Sequence, residues 1–294
     1  MRVAILGASG YLGRKYLEAQ PPAGIILVPA VRANIDYTDP VIIKKFLKVE
    51  KIDKVINCAG FTGKPNVDAC EDSRELCFSM NVHLPVMLAT VCFDEKKPFF
   101  QIGSGCIYQG VPDSRNPEQG FREVDEPNFC FKHPPCSYYS GTKAEMEEKI
   151  RNIPGTSIWR LRMPFSGEKE DRNLLVKLAS YKKILEAGNS LTCLDEFIEK
   201  TLQMTSGDVP DGIYNLTNPG FVMSSEIVDL LYLRKIRRIP PAYFQTSQEI
   251  SLAMKSPRSS CFLDSSKAAN LGFGFRVVHE ALKICLDKLC PAFR

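Results

Sequence analysis

Histidine is scarce in this chain, and the three present, at 83, 133 and 279, are scattered too widely for a histidine-based metal centre. Cysteine is not scarce, yet the eleven residues at 58, 70, 77, 92, 106, 130, 136, 193, 261, 285 and 290 contain no C-x-x-C pair and are odd in number. Most sit inside apolar runs, so a zinc site and a disulfide framework are both unexpected and buried, inert thiols are expected instead. No stretch approaches the roughly 18 consecutive apolar residues of a membrane span. No surplus of one charge exists either: the net charge is +4 over 294 residues. The densest basic cluster, KIRR at 235–238, reads as a solvated helix face rather than a nucleic-acid footprint. Repeats and low-complexity tracts are absent. The opening MRVAILGASG turns into glycines after too short an apolar run for a signal peptide, so a cytosolic protein is expected.

What is present is an ordinary globular composition, 44% hydrophobic and 24% charged, on a chain long enough to bury a large core without staples. Short apolar runs at 3–7, 25–31, 54–60, 97–105 and 156–163 read as buried strands, and segments with helical spacing separate them. The longest of these is expected over 66–92, and YYSGTKAEMEEKI begins another at 138. Strands alternating with helices in this rhythm predict a doubly wound, Rossmann-type parallel sheet. The cofactor domain is expected over 1–163 and a smaller, more helical substrate-binding domain over 164–294. One clear late strand, at 212–218, is expected to return to the sheet. A long loop rich in Pro, Gly and Asn occupies 109–137.

Two patterns carry chemistry. GASGYLG sets Gly7, Gly10 and Gly13 between the first strand and the first helix, where glycines permit a tight turn and close approach of backbone N–H groups to a pyrophosphate. The second strand ends in VPAVRAN without a carboxylate for a ribose 2′-hydroxyl. Arg32 stands there instead and suits a 2′-phosphate, hence NADP over NAD, although a solvated arginine reads nearly as well. Further on, Tyr139 and Lys143 lie one helical turn apart on one face. A nearby ammonium is expected to lower the phenol from its ordinary pKa of about 10 and make it a usable proton donor. Tyr11 and Lys15 match the same spacing, but only Tyr139 follows the strand ending in GSG, as convergence with Ser104 requires.

The glycine turn, NCAG at 57–60, Ser104 and the Tyr139/Lys143 pair, in this order, resemble the extended short-chain dehydrogenase/reductases. Longer stretches, NCAGFTGKPNVDACE (57–71), GCIY (105–108), FREVDEPNF (121–129), SYYSGTKAEMEE (137–148), LRMP (161–164), GIYNLTNPG (212–220) and PRSS…LD (257–264), resemble the bifunctional 3,5-epimerase/4-reductases that make rhamnose nucleotides. That resemblance implies NADPH and a nucleotide-linked 4-keto-6-deoxyhexose carried on UDP, dTDP or GDP. It places the cofactor on Gly7, Ser9, Gly10, Tyr11, Leu12, Gly13, Arg32, Asp36, Cys58, Ala59, Gly60, Tyr139 and Lys143. Asp36 equally suits an N-cap of the following helix.

The resemblance also implies roles. Tyr139 donates a proton to the C4 oxygen, Lys143 holds Tyr139 and the nicotinamide ribose, and Ser104 hydrogen-bonds the same oxygen. Cys106, in GSGCIY, falls where epimerase-reductases, GDP-L-fucose synthase among them, keep an acid/base cysteine. Lys177 falls at the second epimerisation position. As residues alone, Cys106 reads equally as a core thiol and Lys177 as a solvated helix lysine. A thiol beside a cationic lysine is expected to be brought down from about 8.5 toward neutrality. Thr62, Lys64 and Asn66, on the loop after the third strand, and Arg258 are candidates for the substrate, Arg258 for its diphosphate or for a structural ion pair. A homodimer packed along 66–92 and 138–151 is implied, with no metal, membrane or nucleic-acid partner. Two alternatives stay open: a reductase without epimerase activity, and a non-catalytic subunit like the regulatory one of methionine adenosyltransferase.

Overall fold

The structure is a computed structural model that describes residues 1–112 and 119–293; residues 113–118 of the expected 109–137 loop lie outside it. Nine strands occur among the described residues: β1 Arg2–Leu6, β2 Ile26–Ala30, β3 Lys54–Asn57, β4 Phe99–Ser104, β5 Thr156–Leu161, β6 Pro164–Phe165, β7 Gly188–Cys193, β8 Gly212–Asn215 and β9 Asn218–Met223. Six of them form one parallel sheet in the order β2-β1-β3-β4-β5-β8. Every residue of β4 and of β5 is buried. Central parallel strands are covered on both faces, which is why they read in the sequence as continuous apolar runs. This is the expected doubly wound architecture.

Helices cover both faces of the large sheet. Leu6, Ile43, Leu88 and Met146 meet on one side. Val3, Ile5, Tyr16, Trp159, Phe197 and Leu202 meet on the other. The second group draws on the helix Leu194–Ser206, so the chain returns to the large sheet well after residue 164 and adds β8 beside β5, Ser157 opposite Gly212. A third cluster, with Phe165, Leu191, Val228 and Leu282, packs around the smaller sheet β6-β7-β9.

The expected helix over 66–92 is divided. A single turn, Ala69–Asp72, ends at Ser73, and the chain then runs as Arg74–Phe78, a π-helical turn Ser79–His83, and Leu84–Asp94. Arg74–Asp94 is long and apolar enough to cross a membrane, with a mean hydropathy of 1.7, and 56% of that window is buried. The expectation of no such stretch counted uninterrupted apolar residues and passed over a helix that includes Ser79, Asn81 and His83. Packed on the sheet, it serves as a core helix.

KIRR is not a solvated helix face. It follows the helix Ser224–Leu233, and Arg237 is almost wholly buried, donating to the carbonyls of Leu178 (2.7 Å) and Tyr181 (2.8 Å). These oxygens lie at the open end of the helix Leu174–Ser180, where a cation is favoured.

Candidate active site

Successive strands leave β1 in opposite directions, β2 to one side and β3 to the other, so a crevice opens at the carboxyl ends of β1 and β3. The glycine turn fills its floor. Gly7 has φ +72°, and a Cβ there would stand 2.7 Å from Ala59 N. A Cβ on Gly13 would stand 2.6 Å from Ala8 Cα. Both positions therefore exclude any side chain. Gly10 caps the helix Tyr11–Glu18 with no side-chain acceptor, and the first turn carries no acidic residue. Ser9 and Gly10 are exposed. An uncapped, uncompensated helix N-terminus beside a backbone turn suits a dinucleotide pyrophosphate.

Flanking residues complete the cradle. Cys58 and Ala59 lie beneath Gly7, and burial pushes the Cys58 thiol up. A Cβ on Gly60 would come 4.0 Å from Lys143 Nζ, so this turn adjoins the Tyr139 helix. Arg32 is exposed and makes no hydrogen bond or ion pair among the described residues. Asp36 does not cap the next helix: Asp39 does, accepting from Val41 N at 2.7 Å and Ile42 N at 3.1 Å. Asp36 instead accepts from Thr38 Oγ1 (2.5 Å) and Thr38 N (3.1 Å), which holds its carboxyl below the usual range. Tyr11 and Lys15 are more than packing. Tyr11 hydroxyl meets Ser166 Oγ at 3.0 Å, burial pushes it up to about 12, and Lys15 pairs with Glu168.

Ser104 ends β4, and its Oγ accepts from Cys106 N at 3.2 Å, which turns the chain into the short helix Gly105–Ile107. Ser137 caps the helix Tyr138–Ile150 by accepting from Ser140 N at 3.1 Å. Tyr139 and Lys143 share the face of that helix turned to β4. Lys143 Nζ donates to Ile102 O at 3.3 Å and stands 5.9 Å from the centre of the Tyr139 ring. Tyr139 packs against the cluster holding Cys106, Ile107, Cys261 and Leu263. Sequence thus brings Ser104, Cys106, Tyr139 and Lys143 together.

Their titration departs from expectation. Burial drives the Tyr139 phenol well above 10, and neighbouring thiols reinforce it; the nearby Ser104 hydroxyl only partly opposes the rise. Burial likewise pushes the Cys106 thiol up, against the nearby hydroxyls of Ser104 and Ser140 and the charges of Arg162 and Lys143. Lys143 moves down by burial. For Cys106 loss of water outweighs the lysine's attraction, and for Tyr139 loss of water is the largest influence, so both groups move up where a lowering was expected.

Asn81 escaped the sequence reading. Fully buried in the π-helical turn, it accepts from Phe61 N (2.8 Å) and donates to Phe61 O (2.8 Å), Cys77 Sγ (3.3 Å) and Thr142 Oγ1 (3.4 Å). It ties the loop after β3 to the Tyr139 helix. A lone amide inside an apolar helical run, at a π-bulge, was the available signal. Cys77 is fully buried among polar partners: neighbouring Cys70 draws its thiol down, and Thr142, Asn81 and Lys143 add to the lowering.

Thr62, Lys64 and Asn66 lie on the loop after β3. Thr62 Oγ1 and Gly63 O both accept from Arg172, each at 2.8 Å. Asn66 Oδ1 accepts from Asp68 N at 2.8 Å, and Lys64 is exposed. Arg258 is engaged in an ion pair: Nη2 donates to Asp68 Oδ2 at 2.6 Å, and Nη1 to Ser256 Oγ at 2.9 Å. Lys177 is half-buried on the helix Leu174–Ser180, and burial, with Arg172 beside it, moves its ammonium down. No group of His, Cys, Asp and Glu suited to a metal occurs among the described residues.

The family model of the RmlD substrate-binding domain matches residues 1–290. The chain belongs to that family. It is 35% identical over 224 residues to a bifunctional dTDP-4-dehydrorhamnose 3,5-epimerase/dTDP-4-dehydrorhamnose reductase of Arabidopsis thaliana, covering 74% of this chain and 70% of that one. It also matches trifunctional UDP-glucose 4,6-dehydratase/epimerase/reductases of the same plant, but spans only about a third of the length of one of them, 32% at 34% identity. Among solved structures, a UDP-rhamnose synthase of Acanthamoeba polyphaga mimivirus superposes with a TM-score of 0.84 at 25% identity, covering 98% of this chain and 99% of that one. A dTDP-4-dehydrorhamnose reductase of Bacillus anthracis, in complex with NADP, superposes at 0.81 with 18% identity, covering 98% and 99%.

Proposed function

We propose that this member of the RmlD family is an NADPH-dependent enzyme that epimerises C3 and C5 of a nucleotide-linked 4-keto-6-deoxyglucose and reduces C4, giving an L-rhamnose nucleotide. The observation that carries the reading is the packing of Tyr139 against the cluster containing Cys106, at the end of β4, where Ser104 Oγ accepts from Cys106 N at 3.2 Å. A reductase needs only Ser104, Tyr139 and Lys143; a thiol in the same cluster gives the site a further acid. The plant relative at 35% identity carries both activities in its name.

The shifts divide the work. Bound NADPH supplies hydride to C4. Tyr139, kept protonated by burial, donates to the C4 oxygen, and the Ser104 hydroxyl holds that oxygen before and after. For epimerisation the ketone makes the C3 and C5 hydrogens acidic, and the same two hydroxyls stabilise the enolate oxygen. Lys177, whose ammonium is moved down, suits the base that removes the proton. Cys106, whose thiol is moved up, suits the acid that returns one on the opposite face. Environments that push two groups apart in this way are how acid and base are assigned. Burial of Cys106 also favours a second reading, reduction without epimerisation.

Thr62, Lys64, Asn66 and Arg258 would receive the substrate's hydroxyls and diphosphate, and Arg32 the cofactor's 2′-phosphate. The cofactor domain is taken as 1–163, the substrate domain as 164–294. A homodimer along Arg74–Asp94 and Tyr138–Ile150 fits the exposed Leu76 and Phe93 on the first of these helices. Incubation with NADPH and the UDP- or dTDP-linked 4-keto-6-deoxyglucose, followed by identification of the sugar, tests the reading. An L-rhamnose nucleotide is expected. A 6-deoxy-D-hexose would reduce the function to reduction alone, and no NADPH oxidation would leave a non-catalytic subunit.

A further inference from the structure

Residues 166–173, between β6 and the helix Leu174–Ser180, are pinned at both ends to the dinucleotide crevice. At one end Ser166 Oγ meets Tyr11 hydroxyl at 3.0 Å, and Glu170 pairs with Arg14 at 2.8 Å. Both partners belong to the first helix, directly after the glycine turn. At the other end the two terminal nitrogens of Arg172 donate to Thr62 Oγ1 and Gly63 O, each at 2.8 Å, on the loop that follows β3. The segment is also tied within itself. Asn173, fully buried, donates to Ser166 O (2.8 Å) and Glu168 O (2.7 Å) and accepts from Leu175 N (3.1 Å). Its shape is therefore fixed by its own hydrogen bonds, and the ion pair of Glu168 with Lys15 adds to the ties at the first end.

These anchors stand on either side of the β1–β3 crevice. The first lies where the pyrophosphate meets the helix N-terminus, the second three residues beyond Asn57–Ala59 at the end of β3. A dinucleotide lying in the crevice passes between them. Arg172 differs from the cations at the first end: Arg14 and Lys15 have carboxylate partners, whereas Arg172 has none within 4.0 Å among the described residues and rests on a hydroxyl and a carbonyl. Among the described residues no carboxylate pairs with it, and both its partners belong to the loop that leaves β3 at the crevice. A planar fork is suited to share itself between such acceptors and a phosphate oxygen.

We infer that Arg172 is a positioning residue for the dinucleotide, the clasp that fastens the 166–173 segment across the cofactor and links its retention to the Thr62–Gly63 turn. The inference rests on the dinucleotide cradle and stands apart from the epimerisation reading. Removing the fork frees one end of the segment while leaving Tyr11–Ser166 and Arg14–Glu170 in place. The cofactor then escapes faster, whatever happens at the sugar.

The test uses the full chain and the fluorescence of bound NADPH, followed by stopped-flow displacement with excess NADP. In Arg172→Met the release rate is expected to rise on the order of tenfold to a hundredfold, as the loss of a two-pronged charge-assisted contact implies. Arg172→Lys, which restores charge without the fork, is expected between the two. Thr62→Val is expected to speed release less, and the double variant Thr62→Val/Arg172→Met no more than Arg172→Met alone, because both remove one tie. Thermal unfolding of each variant separates loss of the clasp from loss of fold. A wild-type release rate in a folded Arg172→Met would overturn the inference. So would weakened binding of UDP or dTDP with NADPH release unchanged, which assigns the fork to the sugar nucleotide, or additive effects in the double variant.

Discussion

Lys143 Nζ stands 5.9 Å from the centre of the Tyr139 ring, and burial drives the two groups in opposite directions, the ammonium down and the phenol up. As pH rises, therefore, Lys143 loses its charge before Tyr139 loses its proton. The alkaline limb of the reduction is expected to report Lys143 and to fall below the ordinary lysine value of about 10.4. Lys143→Arg keeps a charge through that range, so its kcat/KM profile should extend to higher pH even if its plateau is lower. An unchanged limb in Lys143→Arg would return the titration to Tyr139.

On the proposed mechanism the phenol itself is the acid. Tyr139→Phe keeps the ring and its packing and removes the proton, so 4-keto reduction is expected to drop by about 10²–10⁴-fold. NADPH binding, followed by its fluorescence, should persist. Near wild-type turnover would put the chemistry elsewhere.

Cofactor choice falls to Arg32. With no carboxylate at the end of β2 and an exposed guanidinium just beyond it, NADPH should be preferred to NADH in kcat/KM. Arg32→Ala should bring the two together by weakening NADPH alone. A ratio that does not move leaves Arg32 a solvated side chain.

Behind the site, Glu147 and Arg160 form an ion pair at 2.7 Å, with side chains 3% and 2% exposed. Arg160 also stacks over Tyr108, 5.2 Å from its centre. Removing one partner leaves the other as an unpaired buried charge. Glu147→Gln is accordingly expected to cost about 3–5 kcal/mol of stability, read in denaturant unfolding. A loss under about 1 kcal/mol would show that water reaches the pair. Replacing both partners with apolar residues should restore part of the loss.

How much of this could be read from the sequence depended on range. The six strands of the large sheet were legible because parallel strands buried on both faces are apolar runs, and the meeting of Ser104, Tyr139 and Lys143 near the end of β4 because it follows from local spacing beside such strands. The division of 66–92 was not, since a break at Ser73 and a π-turn at Ser79–His83 leave the apolar periodicity largely intact. Arg172, Asn81 and Asn173 were invisible for another reason: Arg172 acts across about 110 residues of chain and Asn81 across 61, and no local pattern encodes such partners. The signs of the Tyr139 and Cys106 shifts were missed because sequence shows the neighbouring lysine but not the loss of water.

Solvent exchange at the sugar bears most directly on the central claim. With the 4-keto-6-deoxyglucose nucleotide in heavy water and no NADPH hydride available, the wild-type protein is expected to wash deuterium into both C3 and C5. Cys106→Ala, folded and still binding NADPH, is expected to lose exchange at one or both carbons and, when NADPH is added, to give an unepimerised 6-deoxyhexose. Lys177→Met should impair the complementary step. Full exchange at both carbons in Cys106→Ala would contradict the account and leave Cys106 a core thiol.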